Sequence, residues 1–134
     1  MVRRCFASIA VILAVTVSWA CSDSGPGSLS VAGSWSGVTV FNSGFTTSMD
    51  LTQTGSEVSG TMRIAGAFLD NPITGTVSAE DRTLEWEVAD GCESWGGTLT
   101  ISADGQGMTG PVLADVSGCP SGSNSSGTVT VTRQ

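Results

Sequence analysis

Met49-Asp-Leu-Thr-Gln-Thr-Gly-Ser-Glu-Val-Ser-Gly-Thr-Met-Arg-Ile64 is the stretch whose reading decides the fold. Apolar residues alternate on the way in (Met49, Leu51) and again on the way out (Val58, Met62, Ile64). The turn-forming run Thr54-Gly55-Ser56-Glu57 separates them. Period-two alternation on both sides of a short, glycine-containing turn predicts a β-hairpin with one buried face. Its second arm, Val58-Ser59-Gly60-Thr61-Met62, follows an apolar-x-Gly-x-apolar pattern that returns along the chain.

Working outward, the same alternation predicts strands over 33–41, 45–53, 58–65, 73–79, 83–89, 95–102, 108–114 and 126–133. No run of ten or more residues beyond the N-terminal leader has helical periodicity, so the class is all-β. Trp35-x-Gly37, Ile73-x-Gly75-x-Val77, Trp95-x-Gly97-x-Leu99, Met108-x-Gly110-x-Val112 and Gly127-x-Val129-x-Val131 repeat the hairpin's pattern, with glycine on the apolar face. Ser and Thr occupy the opposite face. A strand-interior glycine is unfavourable unless it serves a bend or a close approach. One inward glycine in each of six strands therefore predicts an antiparallel up-and-down barrel of about eight strands, with a two-sheet β-sandwich as the alternative architecture.

The 134 residues suffice for one domain, with 40% hydrophobic and 13% charged residues. There is no His, Lys or Tyr, and the basic residues are Arg3, Arg4, Arg63, Arg82 and Arg133. Residues 1–20 have the form of an export signal: Arg3 and Arg4, an apolar run from Phe6 to Val17, then small residues before Cys21. The pattern resembles a bacterial lipoprotein signal, which implies lipidation at Cys21, a flexible tether over 21–31 and a barrel domain over 32–134. Ordinary secretory cleavage after Ser18-x-Ala20 is the alternative. Ser22 behind the cysteine resembles outer-membrane sorting, so the expected location is the cell envelope, with the lipid as the membrane contact.

Without the leader, three Arg face twelve acids, a net charge of −9. That balance argues against nucleic acid as a partner. Absence of His excludes a Ser-His triad and a His-dependent metal site. No catalytic residue, metal or cofactor is expected, and the protein reads as a binder rather than an enzyme. Paired rim carboxylates among Asp70, Asp90, Glu93 and Asp115 could hold Ca²⁺ or move protons, but acidic loops are usually only solvated. Export permits a disulfide. With Cys5 in the leader and Cys21 in the lipoprotein position, Cys92 and Cys119 are left to pair, closing about 26 residues for about 3–4 kcal/mol. Two independent thiols are the alternative.

An eight-strand meander places the connections 54–57, 80–82 and 103–107 at one end and 42–44, 66–72, 90–94 and 115–125 at the other, longer end. Both Cys92 and Cys119 fall at the longer end. Closing the barrel sets Arg133 beside Trp35, where a guanidinium over the indole seals the short-loop end. Gly33-x-Trp35 with Arg133 resembles the calycin superfamily, the lipocalin- and avidin-like barrels. That resemblance implies a small apolar ligand in the barrel, although the chain has no Tyr for an avidin-type biotin pocket. Inward Met49, Leu51, Met62, Ile64, Trp86, Leu99, Ile101 and Met108 can fill much of the interior, while the inward glycines release volume, so the residues leave an empty and a filled interior both open. A pocket would open at Phe41, Phe45, Phe68, Leu69 and Trp95, with Phe68-Leu69 alternatively forming a loop plug. With a filled interior, the expected function shifts to an envelope module recognising protein or glycan.

Overall fold

The computed structural model describes residues 28–134. The leader, Cys21 and most of the tether lie outside the described residues. Eight strands follow in order: β1 Gly33–Val40, β2 Gly44–Thr54, β3 Glu57–Ile64, β4 Phe68–Ser78, β5 Thr83–Asp90, β6 Glu93–Ile101, β7 Gly107–Asp115 and β8 Ser125–Arg133. Each pairs antiparallel with its neighbour, and β8 returns to pair with β1 from Trp35↔Arg133 to Val40↔Thr128, closing an up-and-down barrel. Closure leaves no free edge, and the sandwich alternative falls.

The β2–β3 hairpin has the expected register. Met49 lies opposite Met62 and Leu51 opposite Gly60 across a two-residue turn. Gly55 holds φ 62° while Ser56 keeps a negative φ, the backbone of a type II′ turn, whose twist matches that of the strands it joins.

The inward glycines have a specific structural role. A Cβ added to Gly60 would stand 1.9 Å from the carbonyl oxygen of Asp50 on β2. Equivalent atoms on Gly37 and Gly127 would meet carbonyl oxygens of Thr130 and Val40 at 2.0 and 2.3 Å. On Gly75 the distance to Glu85 is 2.4 Å, and on Gly97 and Gly110 the distances to Pro111 and Thr98 are both 2.1 Å. The six inward glycines make these approaches on four seams, β8–β1, β2–β3, β4–β5 and β6–β7; outward Gly96 adds a looser one on β5–β6, 2.7 Å from Trp86 O. Each alternate seam is therefore a corner at which one strand folds in over its neighbour, and only a glycine leaves room for that backbone.

The barrel is full. Trp35, Met49, Met62, Ile64, Ile73, Leu84, Leu99 and Met108 are all under 2% exposed and belong to one contiguous core with Trp86, Ile101 and the inward valines. A side chain beside a void large enough for water would show accessible surface toward it, so these residues border none.

Three expectations need correction. The connection expected over 66–72 is only 65–67, because β4 begins at Phe68. A register shift between Met62 and Ile64 absorbs the extra residue. There Asp70 takes φ 53°, a left-handed conformation that Asp tolerates, and its carboxylate accepts bonds from the Arg63 guanidinium on the outer wall, Nε at 3.1 Å. Second, the connections at that end are not generally long: 41–43, 65–67 and 91–92 are tight, and only 116–124 is extended. Third, the end of the supposed tether belongs to the barrel. Val31 is fully buried, its N–H donates to Gln53 Oε1 at 2.8 Å, and Gln53 Nε2 donates to Leu29 O at 3.1 Å. Gln53, the last inward-facing residue of β2, makes this segment a cover for the base of the barrel.

Candidate functional site

The two ends of the barrel are built for different tasks. At the base, Trp35 and Arg133 meet as the register requires, with the guanidinium carbon 4.4 Å from the indole centroid. Trp35 Nε1 donates to Val31 O at 2.8 Å, and Arg133 donates to the carbonyls of Ala32 and Ser30. A Cβ on Gly33, already at φ 126°, would touch Arg133 Nη1 at 2.9 Å. Gly33, Trp35 and Arg133 thus close the barrel and tie down the incoming chain. Arg82, at φ 54° in the β4–β5 connection, is likewise committed to the carbonyls of Ile101 and Ser102.

The other end is open. Phe41, just beyond β1, and Phe45 on β2 lie with ring centroids 6.3 Å apart, planes inclined at 58°. Trp95 on β6 meets Phe41 edge-on at 5.6 Å and Phe68 at 5.3 Å. Phe41, Phe45 and Trp95 are half-buried and line a cavity of ≈ 470 Å³, a cup set in the mouth. Glycine again makes the room at Phe41, where a Cβ on Gly127 would be 2.7 Å from the ring; Gly66, beside Phe45, is required by its φ of 87° and not by space.

The residues anticipated at this rim divide three ways. Phe41, Phe45 and Trp95 come together in the cup. Phe68 is not a loop plug but a buried residue of β4 that supports Trp95 from the side. Leu69 faces outward, 63% exposed, because the period-two rule sends it to the wall once Phe68 is a strand residue.

Polar residues complete the cup. Asn42 and Ser43 come from the β1–β2 turn, Glu93 from the start of β6, and Ser123 and Ser125 from the far side of the long connection. Glu93 Oε2 accepts from Trp95 Nε1 at 3.2 Å, which fixes the carboxylate at the edge of the indole. One wall depends on the connection 116–124, which supplies Val116 and Ser123. The Cys92–Cys119 disulfide, Cα–Cα 5.2 Å, ties this connection to the β5–β6 turn. Asn124 Oδ1 accepts from Val116 N at 3.0 Å and holds its two ends together. Beside it, Asp115 accepts from the Ser117 amide at 2.9 Å, which holds its carboxyl below the usual range.

One layer below the aromatic rings, Thr39 and Thr47 are fully buried and share a hydroxyl–hydroxyl bond of 2.7 Å, with Thr47 also donating to Phe45 O at 3.2 Å. The sequence reading overlooked this pair, although strand parity with Trp35 and Met49 places both inward. Trp86 inside the barrel has no hydrogen-bond partner for its indole N–H among the described residues. No group of three or more acidic or thiol side chains is placed to hold a metal among the described residues. Asp70, one of the rim acids, is instead the partner of Arg63, whose hydrogen bond lowers its carboxyl below the ordinary carboxylate range. Comparison with known proteins finds no matching family model, no matching curated protein and no matching solved structure.

Proposed function

We propose that this protein is an exported, lipid-anchored binding protein of the bacterial envelope that takes a small ligand at the mouth of its barrel, not inside it. The cup of Phe41, Phe45 and Trp95 carries the reading: it joins three aromatic side chains to convergent polar groups, and ≈ 470 Å³ lies within the size range of small-molecule sites. The filled interior supports placing the ligand there, since an interior ligand would have to displace several buried side chains. The Cys92–Cys119 bridge agrees with an oxidising compartment. The chain enters at the base, so an anchor at Cys21 would leave the mouth facing away from the membrane. Gly33-x-Trp35 closed by Arg133 keeps the resemblance to calycin barrels, in a form whose ligand site has moved outward.

The test uses reporters at two depths. Trp95 is half-exposed in the cup, whereas the methyl groups of Met49, Met62 and Met108 lie in the core. Titration with a panel of small amphiphiles is expected to shift Trp95 and the Phe41 and Phe45 resonances and leave the three methionine methyls in place. Shifts of the methionines would mean interior carriage. No response from any reporter would remove ligand binding altogether.

A protein-interaction module is the second reading, and one surface favours it. Val38 and Val40 on β1 and Leu113 on β7 are 44–50% exposed, and the outward positions of β8 between them are Ser126, Thr128, Thr130 and Thr132. Crosslinking in intact envelopes, with a reactive group placed at Thr130, would capture a stable neighbour on that uncharged wall.

A further inference from the structure

Resting on the mouth-binding reading, we infer that the cup selects a small organic cation, a quaternary or protonated amine bearing methyl or methylene groups. The rings of Phe41, Phe45 and Trp95 are mutually inclined at 58° and 78° rather than stacked, so they present differently directed surfaces to one occupant. Aromatic faces carry negative quadrupole potential, and several of them around one site favour a weakly hydrated cation over a neutral group of the same shape.

Charge points the same way. Glu93 is held at the cup wall by its bond to the Trp95 indole. It lies opposite Asp90 across the β5–β6 turn, and Asp115 pairs with Ser94 on the next strand. None of these three carboxylates has a cationic partner within ion-pair distance among the described residues, where the one ion pair is Arg63–Asp70. Arg82 and Arg133 are at the base, bonded to main-chain carbonyls. Arg63, near the same end, is on the outer wall and held by Asp70, so the cup has aromatic walls, a fixed carboxylate and no cation in its lining. A neutral apolar ligand would cover Glu93 without compensating its charge, and an anionic one would meet repulsion. A cation satisfies both the rings and the acid.

Three isosteres separate charge from shape: choline, neutral 3,3-dimethylbutan-1-ol and anionic 3,3-dimethylbutanoate. Each is titrated into the purified protein while Trp95 fluorescence and calorimetric heat are followed. Choline is expected to bind about tenfold more tightly than the alcohol, and the butanoate more weakly than either. Glu93→Gln keeps an acceptor for the indole N–H, so the cup keeps its shape. This change should weaken choline about tenfold and leave the alcohol unaltered. If the alcohol matches choline, or Glu93→Gln leaves choline unchanged, the cation inference is overturned while mouth binding stands. Silence from all three overturns it too, and the broader amphiphile panel with its methionine reporters then decides the fate of the mouth site separately.

Discussion

Gly60→Ala tests the corner mechanism at the hairpin that defines the fold. The new methyl would start 1.9 Å from Asp50 O and 3.0 Å from Leu51 Cα. Ordinary carbon–oxygen contact begins near ~3.3 Å, so β2 and β3 must separate locally by more than an ångström. Two costs follow. Forcing a methylene-sized group into a packed site costs about 1–3 kcal/mol. Weakening one ladder bond at the Leu51↔Gly60 pair adds about 1 kcal/mol. Against these, replacing glycine restricts the unfolded chain and returns about 0.5–1 kcal/mol. The net expectation is a loss of about 1–3.5 kcal/mol, or about 5–25 °C in Tm for a domain of this size. Gly55→Ala is the control, since nothing lies within 4 Å of its would-be Cβ and only its φ of 62° opposes the change. That substitution should cost about 1 kcal/mol. Urea unfolding followed by tryptophan fluorescence measures both, with an unchanged slope certifying a stability effect. A Gly60→Ala midpoint within about 0.5 kcal/mol of the parent, or one less affected than Gly55→Ala, would refute the corner argument.

The Thr39–Thr47 pair gives an asymmetric expectation. Thr47→Val strands a fully buried Thr39 hydroxyl and should cost about 1–3 kcal/mol, whereas the double change to Val should cost less than the sum of the two single changes. A purely additive cycle would show that the two hydroxyls do not interact. Reducing the Cys92–Cys119 bridge, or replacing both cysteines by Ser, should lower stability by about 3–4 kcal/mol for a separation of 27 residues, and a Tm indifferent to reductant would contradict this. Acid should destabilise the fold. Hydrogen bonds from Arg63, the Ser102 hydroxyl and the Ser117 amide hold the carboxyls of Asp70, Asp104 and Asp115 below the ordinary 3.8. Their contribution is present above about pH 4 and lost as pH falls through the depressed folded values, while the absence of His removes one source of change between about pH 5 and 8. A urea midpoint unchanged between pH 6 and pH 3, or no flattening of that decline by Asp104→Asn, would count against it. Cys21→Ala should release the protein from the membrane fraction, and unchanged fractionation would mean the leader is not a lipoprotein signal.

What could be read from the chain alone followed a rule of period two. Strand number, the inward set, the β1–β8 closure and the Trp35–Arg133 contact depend on parity and meander order, both of which are local or additive properties of the sequence. The errors arose where one residue changes partners. The Met62/Ile64 shift let β4 start at Phe68, which turned a supposed loop plug into a core residue and sent Leu69 to the wall. No periodicity announces a bulge, because the surplus residue is accommodated by the neighbouring strand and, here, by the Arg63–Asp70 pair on its far face. The cup was only half legible. Its aromatic members lie at strand ends with the right parity, but Asn42 comes from a turn, and Val116 and Ser123 from a connection whose path depends on the disulfide and on Asn124.

The inward glycines carried opposite implications for the interior, and their geometry decides between them. If a missing side chain simply left space, six glycines in a small barrel would open an interior large enough for a ligand. In this barrel the space above each of them is already taken by a carbonyl of the adjacent strand, at 1.9–2.4 Å from where a Cβ would stand. The glycines therefore narrow the barrel rather than hollow it: four sharp corners draw the walls inward until Met49, Met62, Leu84, Leu99 and Met108 fill what remains. The cavity lined by aromatic rings lies instead at the mouth, which is where the proposed binding is placed. There Gly127 serves twice, since its would-be Cβ meets both Val40 O at 2.3 Å and the Phe41 ring at 2.7 Å. The same residue type that closes the interior thus shapes the site above it. An alanine at Gly66, where φ is 87° and only the backbone opposes a side chain, should shift the Phe45 and Trp95 resonances and leave the methyls of Met49, Met62 and Met108 in place. Shifts of those methyls, or none at the rings, would refute this.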